Sequence, residues 1–289
     1  MLFSACASQE TPQTSKPRRE VTDGIGRKVS LPTRIERAVS LAPSATESIF
    51  AVGAGNRLVG VTTFCNYPAE AIAIPKVGDT MNPSIETIVA LKPDVVFVST
   101  ASQIEAFTKT LEQNGIAVYV TNPETLADVL DDLARLGDLF GTTQIAKKKV
   151  EELQTRAAAV EAAVQGKEPI RAFVQISKEP LFTVGRQSFL TELLGKAGAQ
   201  SVTADVGSAY PKLSKESAIA LNPEAIILSD SEDNREPNEV FRGSAAVKSG
   251  KVFRVDADLL SRPGPRLVDA LEQIAKALHP DMFVRKADR

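Results

Sequence analysis

The chain has 289 residues, which at about 150 per domain gives a prior of two domains, each able to bury its own core. Hydrophobic residues make up 43% and charged residues 24%, an ordinary globular composition, and Lys+Arg 34 against Asp+Glu 36 leaves a net charge of −2 that argues against a general nucleic-acid binder. One histidine, His279, and two cysteines, Cys6 and Cys65, leave almost no room for zinc enzymes, histidine-based triads, iron–sulfur centres or a disulfide scaffold. No apolar run approaches the ~18 residues that span a bilayer. Tryptophan is absent, so an aromatic binding wall has to come mostly from the twelve Phe.

Residues 1–20 differ from the rest. Small and apolar residues run into Cys6, and a polar stretch too poor in apolar residues to fold follows it. That pattern reads as the tail of a bacterial lipoprotein signal, with Cys6 the lipidated first residue of the mature chain and a flexible tether behind it. The charged n-region is missing, so a longer precursor is expected upstream. Cys65 then has no partner and reads as a small buried hydrophobe.

From residue 38 short β-branched runs alternate with helix-like stretches. Ala38–Ala42 reads as a strand, Thr46–Val52 as a helix closed by Gly53 and Gly55, and Arg57–Thr62 as a second strand. Ser84–Leu91 is helical, and Asp94–Ser99 has the continuous apolar run of a strand covered on both faces. A helix up to Asn114, the strand Ile116–Val120 and a helix Leu126–Phe140 ending at Gly141 repeat the theme. This alternation is a parallel-sheet signature.

Thr142–Gln165 contains neither Pro nor Gly and, as one helix of about 24 residues, would span ~36 Å. The alternation then restarts. Arg171–Ile176 is a strand, helices follow around Phe189–Ala197 and from Ser214, and Ala225–Leu228 is a strand. A helix near Asn238–Val247, the strand Val252–Val255 and a closing helix Pro265–Leu278 complete it. The fold class is α/β: two pseudo-symmetric βα lobes with central, mostly parallel sheets, at 21–141 and 167–289, joined by one linker helix at 142–166.

An internal repeat supports the symmetry. Ser84–Ser99 aligns without gaps on Ser214–Ser229, at an offset of 130 residues, with Ser, Glu, Ala, Leu, Pro and the final Ser identical. In each copy Ser is a candidate N-cap, with Glu86 or Glu216 two positions on, near the positive helix end. The backbone is expected to cross between the lobes once, along Thr142–Gln165, leaving a cleft between them.

Chemistry in that cleft is constrained by what is missing. No G-x-G-x-x-G follows the first strand, and there is no G-x-x-x-x-G-K-[ST] and no G-x-S-x-G. His279 sits at the end of the last helix, where the dipole favours it. With no metal site and no catalytic cofactor indicated, the inventory favours binding over catalysis. A two-lobed enzyme such as a sugar transferase is the remote alternative.

Four segments carry a family resemblance: Phe64-Cys-Asn-Tyr-Pro68, Lys76–Asp94, Pro180–Ser188 and Leu259–Arg266. With the order of segments over about 20–283, the chain resembles cobalamin-binding proteins of bacterial ABC importers, whose scaffold siderophore and haem receptors share. The resemblance implies an extracytoplasmic, lipid-anchored, monomeric receptor. It would take cobalamin from the cleft to a permease dimer with ATPase subunits, with a ferric siderophore or haem as the alternative cargo. It also implies a ligand site on Phe64, Tyr67, Phe182 and Tyr210 as aromatic lining, with Asp258 and Arg262 as polar contacts. Such a set suits a flat apolar macrocycle rimmed by amides. Relatives often place tryptophans in this lining. Thr80 stands where one of them would, leaving a pocket more open or tuned to a variant corrinoid. Glu86 and Glu216 match the family's two permease-docking glutamates.

Overall fold

Every strand of the two main sheets runs parallel to its neighbours, and each apolar run singled out above lies inside a sheet. The computed structural model describes residues 16–100 and 104–283, apart from the side chains of 104–107. Cys6 lies outside the described residues. The first sheet comprises β3 (Ala38–Ser40), β4 (Leu58–Val61), β5 (Val95–Ser99) and β6 (Ala117–Thr121), in the order β4-β3-β5-β6. The second comprises β7 (Ile170–Gln175), β8 (Ala199–Ser201), β9 (Ala225–Asp230) and β10 (Val252–Asp256), in the order β10-β9-β7-β8. Numbered within its own lobe, each sheet has the order 2-1-3-4. The repeated segment supplies the third strand of both, Val95–Val98 and Ala225–Leu228, buried throughout. The lobes are pseudo-symmetric in topology as well as in sequence.

The helices of the first lobe are α1 (Pro43–Ala51), α2 (Ile85–Ala90), α3 (Ile104–Gln113) and α4 (Leu126–Phe140). Thr125 caps α4 by accepting from the Asp128 N–H, and Gly141 closes it in the left-handed region at φ 73°. The backbone passes to the second sheet once, along α5 (Thr143–Val164). Only one stripe of that charged helix is buried: Ala146, Leu153, Ala157, Val160 and Val164. All of these but Val164 belong to one apolar core cluster that includes residues of both lobes. At its start α4 and α5 approach so closely that a Cβ on Gly137 would lie 2.3 Å from that of Ala146. On the far side Arg156 donates to Glu272 at 2.9 Å and Asp269 at 2.5 Å, tying α5 to the second lobe. These bonds hold the Glu272 carboxyl below its usual range.

The second lobe adds α6 (Phe189–Lys196), α7 (Lys215–Leu221), α8 (Ala245–Lys248), α9 (Ala257–Ser261), α10 (Leu267–Leu278) and α11 (Pro280–Phe283). His279 follows α10, its Nε2 3.0 Å from the Gly198 carbonyl. The helix expected over Asn238–Val247 is instead a 3₁₀ turn at Glu239–Phe241 and the separate α8. Asn238 caps the first and Ser244 the second, so the chain restarts after Gly243.

A hairpin precedes both lobes: β1 (Arg18–Thr22) pairs antiparallel with β2 (Lys28–Pro32). Strand structure therefore begins at Arg18, inside the stretch to residue 20 expected to be tether. The reason is an unpaired edge. β6 ends the first sheet, and the hairpin covers it, Gly24 donating to the Val120 carbonyl at 2.7 Å and Arg27 to that of Val118 at 3.0 Å.

Candidate functional site

In an open parallel sheet, ligands bind at the carboxyl ends of the strands, where the strand order switches direction. In the first lobe that switch lies between β3 and β5. There Ala42–Ser44 at the start of α1, Ser99 and Thr100 at the end of β5, and Asn122 and Pro123 after β6 form one wall of a cavity of about 320 Å³. Phe64 and Thr80 line it from the same lobe, and Asp258, Ser261, Arg262 and Pro263 close it from the other. Interlobe space and strand ends coincide here.

Phe64 owes its position to its neighbour. Cys65 is buried, its Sγ 3.1 Å from the hydroxyls of Thr46 and Thr62, and Lys76 ties the loop by donating to the carbonyls of Cys65 (3.3 Å) and Ala71 (2.9 Å). With Cys65 pinned inward, the Phe64 ring turns outward and is 57% exposed. A phenyl group left this open on a rigid loop is a stacking surface without a partner in the fold.

Beneath the cavity lies a buried ion cluster that joins the lobes. Glu47 on α1 is 2% exposed and accepts from Arg262 at 3.0 Å and from Arg266 at 2.8 and 2.6 Å. Arg262 also donates to Asn66 Oδ1 (2.8 Å) and the Phe64 carbonyl (3.3 Å) and forms an ion pair with Asp258 (2.6 Å), while Asn66 donates to Asp258 at 3.0 Å. Burial works against the Arg266 charge, but its bonds to Glu47 outweigh that and raise its pKa. Sequence reading missed Glu47, Asn66 and Arg266. A lone acid in the apolar helix Thr46–Val52 and the second arginine of Arg262-Pro-Gly-Pro-Arg266 were the available signals.

The seven expected ligand residues divide. Phe64, Thr80, Asp258 and Arg262 meet at the cavity. Tyr67 instead lines a second cavity of about 480 Å³ on the linker-helix side with Glu47, Arg156 and Arg266, the Arg266 guanidinium carbon 4.1 Å from its ring centroid. Phe182 is half-buried and bridges to Lys212, and Tyr210 is exposed on the adjoining segment; neither lines the 320 Å³ cavity. Arg262, implied as a polar contact, follows α9 and at 8% exposure is clamped by its partners rather than free. Glu86 and Glu216 are both exposed, and their helices are capped as expected, Ser84 accepting from Thr87 N–H (3.3 Å) and Ser214 from Ser217 N–H (3.1 Å). Among the described residues no group of three or more His, Cys, Asp or Glu is placed to hold a metal ion.

Behind the first wall, Asp132 on α4 is 7% exposed, and its single side-chain bond among the described residues is to Arg135 at 3.3 Å. Burial pushes its carboxyl from 3.8 up to about 6. The folded state therefore binds this proton more tightly than the unfolded chain, so stability from this group is present below pH 4 and is lost as pH rises through 6. Above that the ionised form costs about 3 kcal/mol. Asp132→Asn is expected to raise the melting temperature at pH 7.5 far more than at pH 4.5. An equal change at both pH values would contradict it.

A two-lobed α/β scaffold with a side-chain-lined interlobe cavity at the strand ends is the architecture of a solute-binding protein. Residues 39–259 match the periplasmic binding protein family, and the chain belongs to it. It is 31% identical over 244 residues to the vitamin B12-binding protein of Vibrio vulnificus, covering 84% of this chain and 89% of that protein. Across 98% of this chain and 95% of the relative it is 29% identical to an uncharacterised ABC transporter substrate-binding lipoprotein of Bacillus subtilis. Among solved structures, the periplasmic vitamin B12 binding protein BtuF of Vibrio cholerae aligns with a TM-score of 0.77 at 28% identity, over 87% of this chain and all of that one. The protein is thus similar throughout to extracytoplasmic substrate-binding proteins of ABC importers.

Proposed function

We propose that this protein captures cobalamin or a related corrinoid between its lobes, without catalysing a reaction, and passes it to the permease dimer of an ABC importer. The observation that carries the reading is the exposed Phe64 ring over a crevice at the strand ends, flanked by Asp258 and Arg262, on a chain 31% identical to a vitamin B12-binding protein. A corrin offers flat apolar faces to Phe64, Tyr210 and Phe182 and a rim of amides to polar groups. A cavity of about 320 Å³ is the floor of such a site rather than an envelope for it, so the macrocycle stands in an open cleft between walls.

The test is calorimetry with cyanocobalamin, haem and a ferric siderophore. Binding of the corrinoid at a 1:1 ratio is the expected result; tight binding of haem or the siderophore with no heat from corrinoids would reassign the cargo. Tyr210→Ala should weaken corrinoid binding by about 1 kcal/mol, roughly fivefold in Kd, through lost stacking, and an unchanged Kd would remove Tyr210 from the site.

The same reading places the receptor outside the cytoplasmic membrane as a monomer, with Cys6 lipidated and the residues ahead of β1 as its tether. The lipoprotein relative in Bacillus subtilis supports this. Mass spectrometry of the mature N-terminus checks it, a diacylglyceryl group on Cys6 being the expected result. Glu86 and Glu216 are the docking groups for the permease.

A further inference from the structure

We infer that Glu47 is the positioning residue of the cleft: one buried carboxylate in the first lobe that fixes two arginines of the second and thereby sets both the orientation of Arg262 and the separation of the lobes. The inference rests on the cleft being the ligand site. A guanidinium has five N–H donors in a rigid fork. Three hydrogen bonds of Arg262 are accounted for, to Glu47, Asn66 and the Phe64 carbonyl, all in the opposite lobe, and Asp258 of its own lobe forms an ion pair with it. Arg262 is therefore mostly committed to protein acceptors. Its work at the cavity wall is to hold the Phe64 loop and Asp258 in place.

Glu47 is the group that makes this stable. The side chains of Glu47, Arg262 and Arg266 are 1%, 9% and 15% exposed. Charges so deeply buried persist only when paired with good geometry. Arg262 faces the 320 Å³ cavity and Arg266 the 480 Å³ cavity behind it, where it covers the Tyr67 ring. Glu47 is the partition that both share. A ligand that draws Asp258 or Phe64 toward itself moves Arg262 against Glu47, and through it Arg266 and the linker-helix side. This also accounts for Tyr67 lying apart from Phe64: the two aromatics sit on opposite ends of one ionic strut.

The test pairs a ligand-free readout with a ligand-dependent one. Spin labels on cysteines replacing the exposed Asp131 and Lys251, one in each lobe, report the interlobe distance, while titration with cyanocobalamin reports Kd. Glu47→Gln is expected to broaden and lengthen the distance distribution and to weaken binding by about tenfold or more, with Glu47→Asp recovering part of both. A lower melting temperature with unchanged distances and unchanged Kd would overturn the inference and leave Glu47 a mere core ion pair. Should Glu47→Gln fail to fold, Arg266→Gln removes half of the strut from its more accessible side and reads the same distances. If the wild-type protein takes haem rather than a corrinoid, the cargo assignment fails, while the distance measurement, which needs no ligand, still decides the role of Glu47.

Discussion

Replacing Glu86 and Glu216 together by alanine is expected to abolish most uptake while leaving corrinoid affinity and melting temperature almost unchanged. Both carboxylates are exposed, each two residues after a serine that caps its helix, and the repeat places them at equivalent points of two sheets with the same strand order. Its own backbone N–H and the Ser214 hydroxyl hold the Glu216 carboxyl below the usual range, so it stays charged well into acid. Solvent screens fully exposed first-turn carboxylates, so they contribute little to their helices and stability should barely move. A symmetric permease dimer presents two equivalent sockets, and a pseudo-symmetric receptor can meet both with matched charges. Such rim contacts govern association rate and salt dependence more than anything inside the cleft. Uptake by cells in which this receptor is the only source of corrinoid is the measurement, alongside salt-dependent association with the permease. Wild-type uptake by the double variant would leave the helix-dipole role as the whole account of these residues.

The lobes were legible because their physics is local. Val95–Val98 and Ala225–Leu228 are continuous apolar runs, Gly141 closes α4, and α5 contains no breaker, so each element is written within its own segment. The hairpin β1–β2 was harder to see. Arg18, Arg19 and Glu20 make its first strand look like tether, yet Val21 against Val29 and the Asp23-Gly24 turn carry its alternation, and what secures it is the edge of β6, a hundred residues away. The broken helix at Asn238–Val247 failed for a related reason. Asn238 and Ser244 each start a turn of their own, and caps compete with an apolar pattern that would otherwise continue.

The candidate site was legible by residue type and not by arrangement. Phe64 is the exposed aromatic expected of it, but whether Tyr67, three residues on, shares its face depends on Cys65 turning inward between them, and no periodicity announces that in a loop. The clamp on Arg262 was not legible because its partners Glu47, Phe64 and Asn66 are about 200 residues distant in sequence. An arginine between serine and proline looks solvated until the other lobe is placed against it.

Gly185→Ala should be the most damaging small substitution in the second lobe, costing more ligand affinity than removal of the Tyr210 ring itself. Residues 181–186 and 206–213 run side by side as a backbone ladder: Gly185 donates to the Ala209 carbonyl at 2.9 Å, Thr183 to that of Pro211 at 3.1 Å, Arg186 to that of Val206 at 2.8 Å, and Leu213 to that of Leu181 at 3.0 Å. Phe182 lies on one rail and Tyr210 on the other. A Cβ on residue 185 would sit 2.0 Å from the Ser208 carbonyl oxygen and 2.7 Å from that of Val206. Both obstacles are backbone, so no side chain can rotate out of the way, and the second rail has to shift by about an ångström to restore normal contact. Overpacking of this kind costs about 1–3 kcal/mol in stability. Its effect on binding is larger than its volume suggests, because the shift carries Tyr210 off its position and pulls Phe182 with it, whereas Tyr210→Ala leaves the ladder and Phe182 in place. Comparing the two variants by calorimetry and thermal melting separates the effects: Gly185→Ala lowers both affinity and melting temperature, and Tyr210→Ala lowers affinity alone. Wild-type affinity in a folded Gly185→Ala protein would mean that this wall of the cleft does not touch the ligand.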